Sequence, residues 1–289
     1  MDISDPDGGS PAASPAINLF VRGRSAAKQL ACIPPSVAAD PALSCRPVDT
    51  LAQYSADGEL LGCIEGDGVV RVMRASGGAQ VFSVQRPSVQ ALQLSPRGTF
   101  LLTWERISEG MDASAQNGNL RIWRVATGEC VCSWLQKVLG EKSMWPAIAW
   151  SVDEQIAYRL VTNEVHFFDG AAPTQAPAHK LRIEGVAQCS LEPTAGPHHV
   201  ATFVPENKGA PAVLRLWRHP DFGEGRFMAS KSFFKASEAQ MHWSPKGGAL
   251  LIHTHTEFDK SNASYYGNTA LYLMGRLDSG KARPRSRSP

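Results

Sequence analysis

Five times along this chain of 289 residues the same order of residue types returns. A short apolar run ends in Ser or Glu, a tight turn follows, then a second apolar run, and later an amphipathic run closed by a bulky residue. Tyr54-Ser55-Ala56-Asp57-Gly58 leads into Leu60 to Ile64 and then Val69 to Met73, and Leu94-Ser95-Pro96-Arg97-Gly98 leads into Phe100 to Trp104 and then Asn119 to Trp123. Trp150-Ser151-Val152-Asp153-Glu154 precedes Gln155 to Tyr158 and Glu164 to Phe168, while Leu191-Glu192-Pro193 precedes Val200 to Val204 and Leu214 to Trp217. Trp243-Ser244-Pro245-Lys246-Gly247 precedes Ala249 to His253 and Ala270 to Leu273. The anchors Ser55, Ser95, Ser151, Glu192 and Ser244 lie 40, 56, 41 and 52 residues apart. Two of these intervals fit the period of about 40–45 residues of a propeller blade. The two longer ones carry insertions, one of them read at Glu105 to Gly118, and Asp259 to Asn268 likewise separates two apolar strands beyond the last anchor.

Each unit reads as a four-stranded antiparallel sheet. Such a sheet cannot cover both of its apolar faces alone, so neighbours must stack around an axis. Gly58, Gly98 and Gly247 suit turns that other residues resist. Thr127-Gly128-Glu129 and Ser76-Gly77-Gly78 read as hairpins between third and fourth strands. No amphipathic run of helical length competes. The expectation is an all-β, WD40-like β-propeller of about five blades with the last one partial, an open arc rather than a ring, flanked by disordered termini. The boundaries read as a disordered lead-in over 1–16, blades over 17–275 beginning with a strand at Ile17 to Gly23, and a disordered Arg/Ser/Pro tail over 276–289. An open arc leaves two faces and a strand edge in water, which is an aggregation hazard.

Charge and cysteines exclude more than they suggest. The formal net charge of +2 offers no broad attraction for phosphates, so any nucleic-acid contact must come from local patches or shape. Cys130 and Cys132, two apart on a strand, are expected to face one side; with Cys32, Cys45, Cys63 and Cys189 they read as reduced thiols, since no second pair sits at zinc-ligand spacing. Neither a secretory leader nor a membrane-spanning run is evident, so a cytoplasmic protein without membrane contact is expected.

Catalytic chemistry finds no footing. There is no phosphate-binding Gly-Lys-Ser/Thr loop, no Gly-x-Ser-x-Gly elbow and no His-Glu-x-x-His. His253 and His255 share a strand face with Asp259 nearby, a weak metal set, and His198-His199 reads as a loop. Asp153 and Glu154 belong to turns, where carboxylates bond backbone amides. No enzyme activity, cofactor or metal is expected. Trp104, Trp123, Trp150, Trp217 and Trp243 read as packing between blades. Lys231-Ser232-Phe233-Phe234-Lys235 reads either as rings flanked by cations, a scheme for single-stranded RNA, or as a fourth strand with one Phe facing the next blade and its lysines solvated. The loops Asn207-Lys208-Gly209-Ala210-Pro211 and Ser264-Tyr265-Tyr266-Gly267 suit partner contacts on a rigid scaffold.

Several blocks are more specific than the repeat. Val21-Arg22-Gly23, Leu101 to Trp104, Asn119-Leu120, Asn163 to Phe168, Lys208 to Pro211, Lys231 to Ala236 and Ser264 to Gly267 together resemble the propeller of the eukaryotic translation initiation factor 2A family, from about Leu19 to about Met274. The resemblance implies a non-catalytic factor that brings initiator methionyl-tRNA to the small (40S) ribosomal subunit for a subset of messages. Its implied partners are that subunit, the tRNA, mRNA and other initiation factors. It also implies that this sequence corresponds to the N-terminal half of the family's propeller, a truncated form. Lys208, Lys231, Lys235, Tyr265 and Tyr266 are then the candidate ribosome and RNA contacts. The alternative is a general WD-repeat scaffold for proteins, including a propeller like that of the initiation factor 3 b-subunit, although no RNA-recognition signature precedes Ile17.

Overall fold

The computed structural model describes residues 17–22, 27–33, 36–39, 52–66, 68–137, 145–207, 209–256 and 269–275. The two terminal segments expected to be disordered, Gly23, Cys45, Lys208, Asp259, Tyr265 and Tyr266 lie outside the described residues. Among the described residues there is no α-helix, only strands and a 3-10 turn at Gly223–Gly225.

The five sequence units become five antiparallel sheets, each a simple meander. Blade 1 is β4 (Ala52–Tyr54), β5 (Leu60–Ile64), β6 (Val69–Arg74) and β7 (Gln80–Gln85), and blade 2 is β8 (Val89–Leu94), β9 (Phe100–Glu105), β10 (Leu120–Arg124) and β11 (Cys130–Trp134). Blade 3 comprises β12 (Ala149–Trp150), β13 (Ile156–Val161), β14 (Glu164–Asp169) and β15 (His179–Arg182). Blade 4 comprises β16 (Gln188–Leu191), β17 (His199–Val204), β18 (Ala212–Arg218) and β19 (Ala229–Phe233). Blade 5 has three strands, β20 (Glu238–Trp243), β21 (Ala249–His255) and β22 (Thr269–Gly275). Before them lies a three-stranded sheet, β1 (Ile17–Arg22), β2 (Ala27–Ile33) and β3 (Ser36–Ala39), of which the sequence marked only the first strand.

Stacking is visible in the core. Four apolar clusters each draw on two consecutive blades: Val70, Val72 and Phe82 meet Leu94 and Leu101; Phe100, Leu102 and Ile122 meet Trp150 and Phe168. Val165 and Phe167 meet Val200 and Trp217, and Phe203, Leu214 and Phe233 meet Leu250 and Ile252. This is a fan of sheets in which blades 2, 3 and 4 bury both faces against their neighbours, and it makes the fold a WD40-like propeller. The fan is not closed. On the far face of blade 5, Leu271 and Leu273 are 62% and 59% exposed.

The tryptophans pack between blades with their N–H groups satisfied. Trp123 Nε1 donates to Thr103 Oγ1 and Trp217 Nε1 to Thr202 Oγ1, both at 2.8 Å, while Trp243 Nε1 reaches across to Ser190 Oγ of blade 4 at 3.1 Å. One expectation is corrected. Cys130 packs toward blade 1 and Cys132 toward blade 3, because the ladder shifts by one residue between Ile122 and Trp123, and Val131 is the extra residue. A bulge of this kind exchanges the faces of the residues beyond it. Burial pushes the Cys132 thiol up to about 12, so it stays protonated.

Candidate functional site

In a meander, successive connections alternate between the two ends of the sheet. One end of the fan therefore collects the turns between first and second strands, where the Ser and Glu anchors lie. The other collects the second-to-third hairpins and the links from each blade to the next.

The turn end is built from backbone amides and short polar side chains. Ser55 Oγ accepts from Leu60 N at 3.0 Å and donates to Asp57 Oδ1 at 2.5 Å, and Gly58 at φ +76° closes the turn. Ser151 and Asp153 repeat the scheme, with Glu154 itself at φ +59° where blades 1 and 2 use glycine. These turns then clasp one another. Ala56 N donates to Pro96 O at 2.9 Å, Arg97 N to Glu154 Oε1 at 2.7 Å, and Gly248 N to Glu192 Oε1 at 2.5 Å; His198 Nε2 lies 3.4 Å from Asp153 Oδ2. All four blade junctions are bridged. The carboxylates of Asp153 and Glu154 thus hold backbone amides, as the sequence suggested. His199 is not a loop residue: it opens β17, is buried, and sets Nδ1 2.5 Å from Glu192 Oε2. Beside them His219 packs against Phe167, Phe222 and His179. Burial, with His179 and His198 adding to it, drives its imidazole down to about 4.

The hairpin end holds the sequence-derived contact candidates. The 205–211 hairpin of blade 4 lies against the link from β19 to β20, since Glu206 N donates to Ala236 O at 3.1 Å. Its tip carries an Asn207–Ala210 bridge around position 208. Toward blade 5, Ser237 N of that link donates to His255 O at 3.0 Å, and Thr256 Oγ1 donates to Lys235 O. Residues 256 and 269 bracket the segment that contains Tyr265 and Tyr266. The described parts of the 205–211 hairpin and of the 231–236 block thus meet at the junction of blades 4 and 5. Lys208, Tyr265 and Tyr266 themselves lie outside the described residues.

The two described lysines differ. Lys231, on β19, points toward blade 5, with Nζ 4.7 Å from the centre of the Tyr272 ring and 5.9 Å from that of Phe233, a cation–π contact rather than a solvated ammonium. Lys235 is exposed, at φ +58°. Phe233 is buried at 2% and tilts against Tyr272, whereas Phe234 is 84% exposed. The sequence reading allowed either Phe to face inward. The two-residue period of a strand decides it, because Phe233 shares the inward face of Lys231.

Among the described residues, no group of three His, Cys, Asp or Glu is placed to hold a metal ion. His253 and His255 share the exposed face of β21, with Gln240 Oε1 3.4 Å from His253 Nδ1.

Comparison with known proteins fits this geometry. The family model described as eukaryotic translation initiation factor eIF2A matches residues 231–284, the stretch that carries Lys231, Lys235, Tyr265 and Tyr266. The curated Eukaryotic translation initiation factor 2A of Schizosaccharomyces pombe is 38% identical over 224 residues, 78% of this chain and 37% of the relative. Its Dictyostelium discoideum counterpart is 36% identical over 226 residues, 78% of this chain and 36% of the relative. A solved structure described as "Crystal structure of the eukaryotic initiation factor" matches with a TM-score of 0.71 at 28% identity, covering 94% of this chain and 63% of that one. The chain spans little more than a third of the length of these curated relatives.

Proposed function

The chain belongs to the eukaryotic translation initiation factor 2A family, and from that premise we propose that it is a non-catalytic cytoplasmic platform that docks on the small ribosomal subunit. There it supports delivery of initiator methionyl-tRNA for a subset of mRNAs, alongside other initiation factors. The mechanism is scaffolding: a rigid fan presents loops, and binding energy alone holds the assembly.

The observation that carries this reading is the convergence of family-like blocks at the hairpin end of blades 4 and 5. Glu206 N to Ala236 O at 3.1 Å and Ser237 N to His255 O at 3.0 Å fix that convergence through the backbone. The contact residues are Lys208, Lys231, Lys235, Tyr265 and Tyr266. The blades over 17–275 form the platform.

Cosedimentation with purified small subunits tests the assignment. Changing all five residues to Ala is expected to lower the bound fraction while circular dichroism keeps its strand signature. Unchanged cosedimentation removes the assignment. A pull-down separates the runner-up: small-subunit RNA and initiator tRNA accompany the chain in this reading, whereas a general WD-repeat scaffold brings down proteins alone.

A further inference from the structure

We propose that copies of this chain associate head to tail, the sheet β1–β3 of one copy seating on blade 5 of the next. None of the five proposed ribosome contacts takes part.

Sheet β1–β3 carries its apolar residues on one side. Ile17 pairs with Cys32 and Cys32 with Val37, while Leu19 pairs with Leu30. Residues paired directly across strands share a face, as do alternate residues along a strand. Ile17, Leu19, Val21, Leu30, Cys32 and Val37 therefore form one face, and Lys28, paired with Val21, is the charged position at its border. Water reaches that face: Ile17 is 56% exposed, Leu19 46%, Val21 49% and Val37 63%. Blade 5 leaves a face in water too. Leu251 pairs with Leu273 and His253 with Leu271, so these four share the side turned away from blade 4. Leu251, Leu271 and Leu273 are 36%, 62% and 59% exposed, whereas Leu250 and Ile252 on the reverse are buried against blade 4. Single exposed leucines are ordinary; contiguous apolar faces mark interaction surfaces.

A second sheet is the partner that fits both faces. Each is a three-stranded antiparallel surface, and the four blade junctions of this chain are already sheets lying on sheets. Both faces stay exposed in one chain, so neither covers the other within it. Of the ways two copies can meet, one covers both faces. Blade 5 on blade 5 sets His242 and His253, which flank Leu251, against their own counterparts and leaves β1–β3 in water. Sheet β1–β3 on itself leaves blade 5 in water. Blade 5 on β1–β3 lays Leu251, Leu271 and Leu273 on an apolar face and sets no imidazole against another. This contact is heterologous, so copies add one after another rather than closing as a pair. A face three strands wide, with strands of 7 residues, measures roughly 14 by 23 Å. Two such faces bury on the order of 700 Å² in all, the size of a weak, concentration-dependent contact.

Sedimentation equilibrium of the 289-residue chain across the micromolar range tests this. Wild type is expected to rise from 31.2 kDa through twice that mass and beyond as concentration increases. Leu271→Glu with Leu273→Glu, and Leu19→Glu with Val37→Glu, each put two charges on one face. Either double variant alone is expected to stay monomeric. Mixed in equal amounts, each variant keeps one working face, and the mixture is expected to stop at the dimer. Both pairs lie in water, so circular dichroism and melting temperature should match wild type. A pair that unfolds is replaced by serine at the same positions and mixed again. A wild type that stays monomeric overturns the proposal. So does a double variant that still associates alone, which points to a face binding its own counterpart. An equimolar mixture that stays monomeric while both variants are folded overturns it as well.

Discussion

The two ends of the fan solve opposite problems with the same chain. At the turn end each blade clasps the next through buried or backbone groups: Pro96 O, Glu154 Oε1, Asp153 Oδ2 and Glu192 Oε1 all serve a neighbouring blade. At the hairpin end of blades 4 and 5, the link between them leaves Phe234 in water and Lys235 in a left-handed conformation. Polar groups that satisfy one another stabilise a fold, whereas an aromatic ring left in water adds little to it. The described contacts give the turn end the task of holding blade to blade, and the proposed function assigns recognition to the hairpin end.

The strongest way to break that contrast is Glu192→Ala. Glu192 is 3% exposed and serves both His199 and Gly248 N, so its loss leaves a buried imidazole and a half-buried backbone N–H without their partner. A loss of about 2–4 kcal/mol is expected in urea denaturation, with ribosome binding intact at temperatures where the variant stays folded.

A matched glycine pair sharpens the contrast further. Gly98 and Gly209 both lie at positive φ, +71° and +89°, so alanine carries a backbone cost of about 1 kcal/mol at either. At Gly98 a Cβ also meets Leu60 Cδ1 at 2.5 Å, whereas at Gly209 it meets open space. Gly98→Ala is expected to cost about 2 kcal/mol and Gly209→Ala about 1 kcal/mol in the same denaturation. Equal costs would remove the packing distinction between the ends.

His219 makes the turn end sensitive to acid. Its folded value of about 4 lies below the ordinary 6.5, so the unfolded chain takes up the proton first. The stability held by neutral His219 is intact above pH 6.5 and is lost as pH falls toward 4. After allowance for solvent screening, wild type is expected to lose about 1 kcal/mol from this group between pH 7 and 5. His219→Phe should flatten the melting temperature over that interval relative to wild type. The smallest effect belongs to the hairpin end, where Phe234→Ala should leave stability within about 0.5 kcal/mol.

Much of this was legible in the sequence. The Ser-turn-Gly anchors at Ser55, Ser95 and Ser244 marked three of the five blades because the turn uses residue types that the backbone itself demands: a hydroxyl for the amide five residues on, and a glycine for positive φ. Where another residue took the same part the signal faded; Glu154 replaces the glycine and also clasps Arg97 N, a pairing 57 residues long-range that no local pattern announces. β2 and β3 were missed because Ala27 to Ala39 carries no such turn signature and few β-branched residues. The Cys130 and Cys132 faces were misassigned because a single-residue bulge leaves no mark in composition. At the site, the sequence singled out Lys231 and Lys235 by type, yet only tertiary packing puts the first over Tyr272 and leaves the second outward.

Hydrogen–deuterium exchange of the chain with and without small ribosomal subunits tests the central claim most directly. The account predicts slowed exchange at 205–211 and 234–237, with the turns at 55–59, 95–99, 151–155 and 244–248 unchanged. Protection confined to those turns, with the hairpin end exchanging freely, would contradict it.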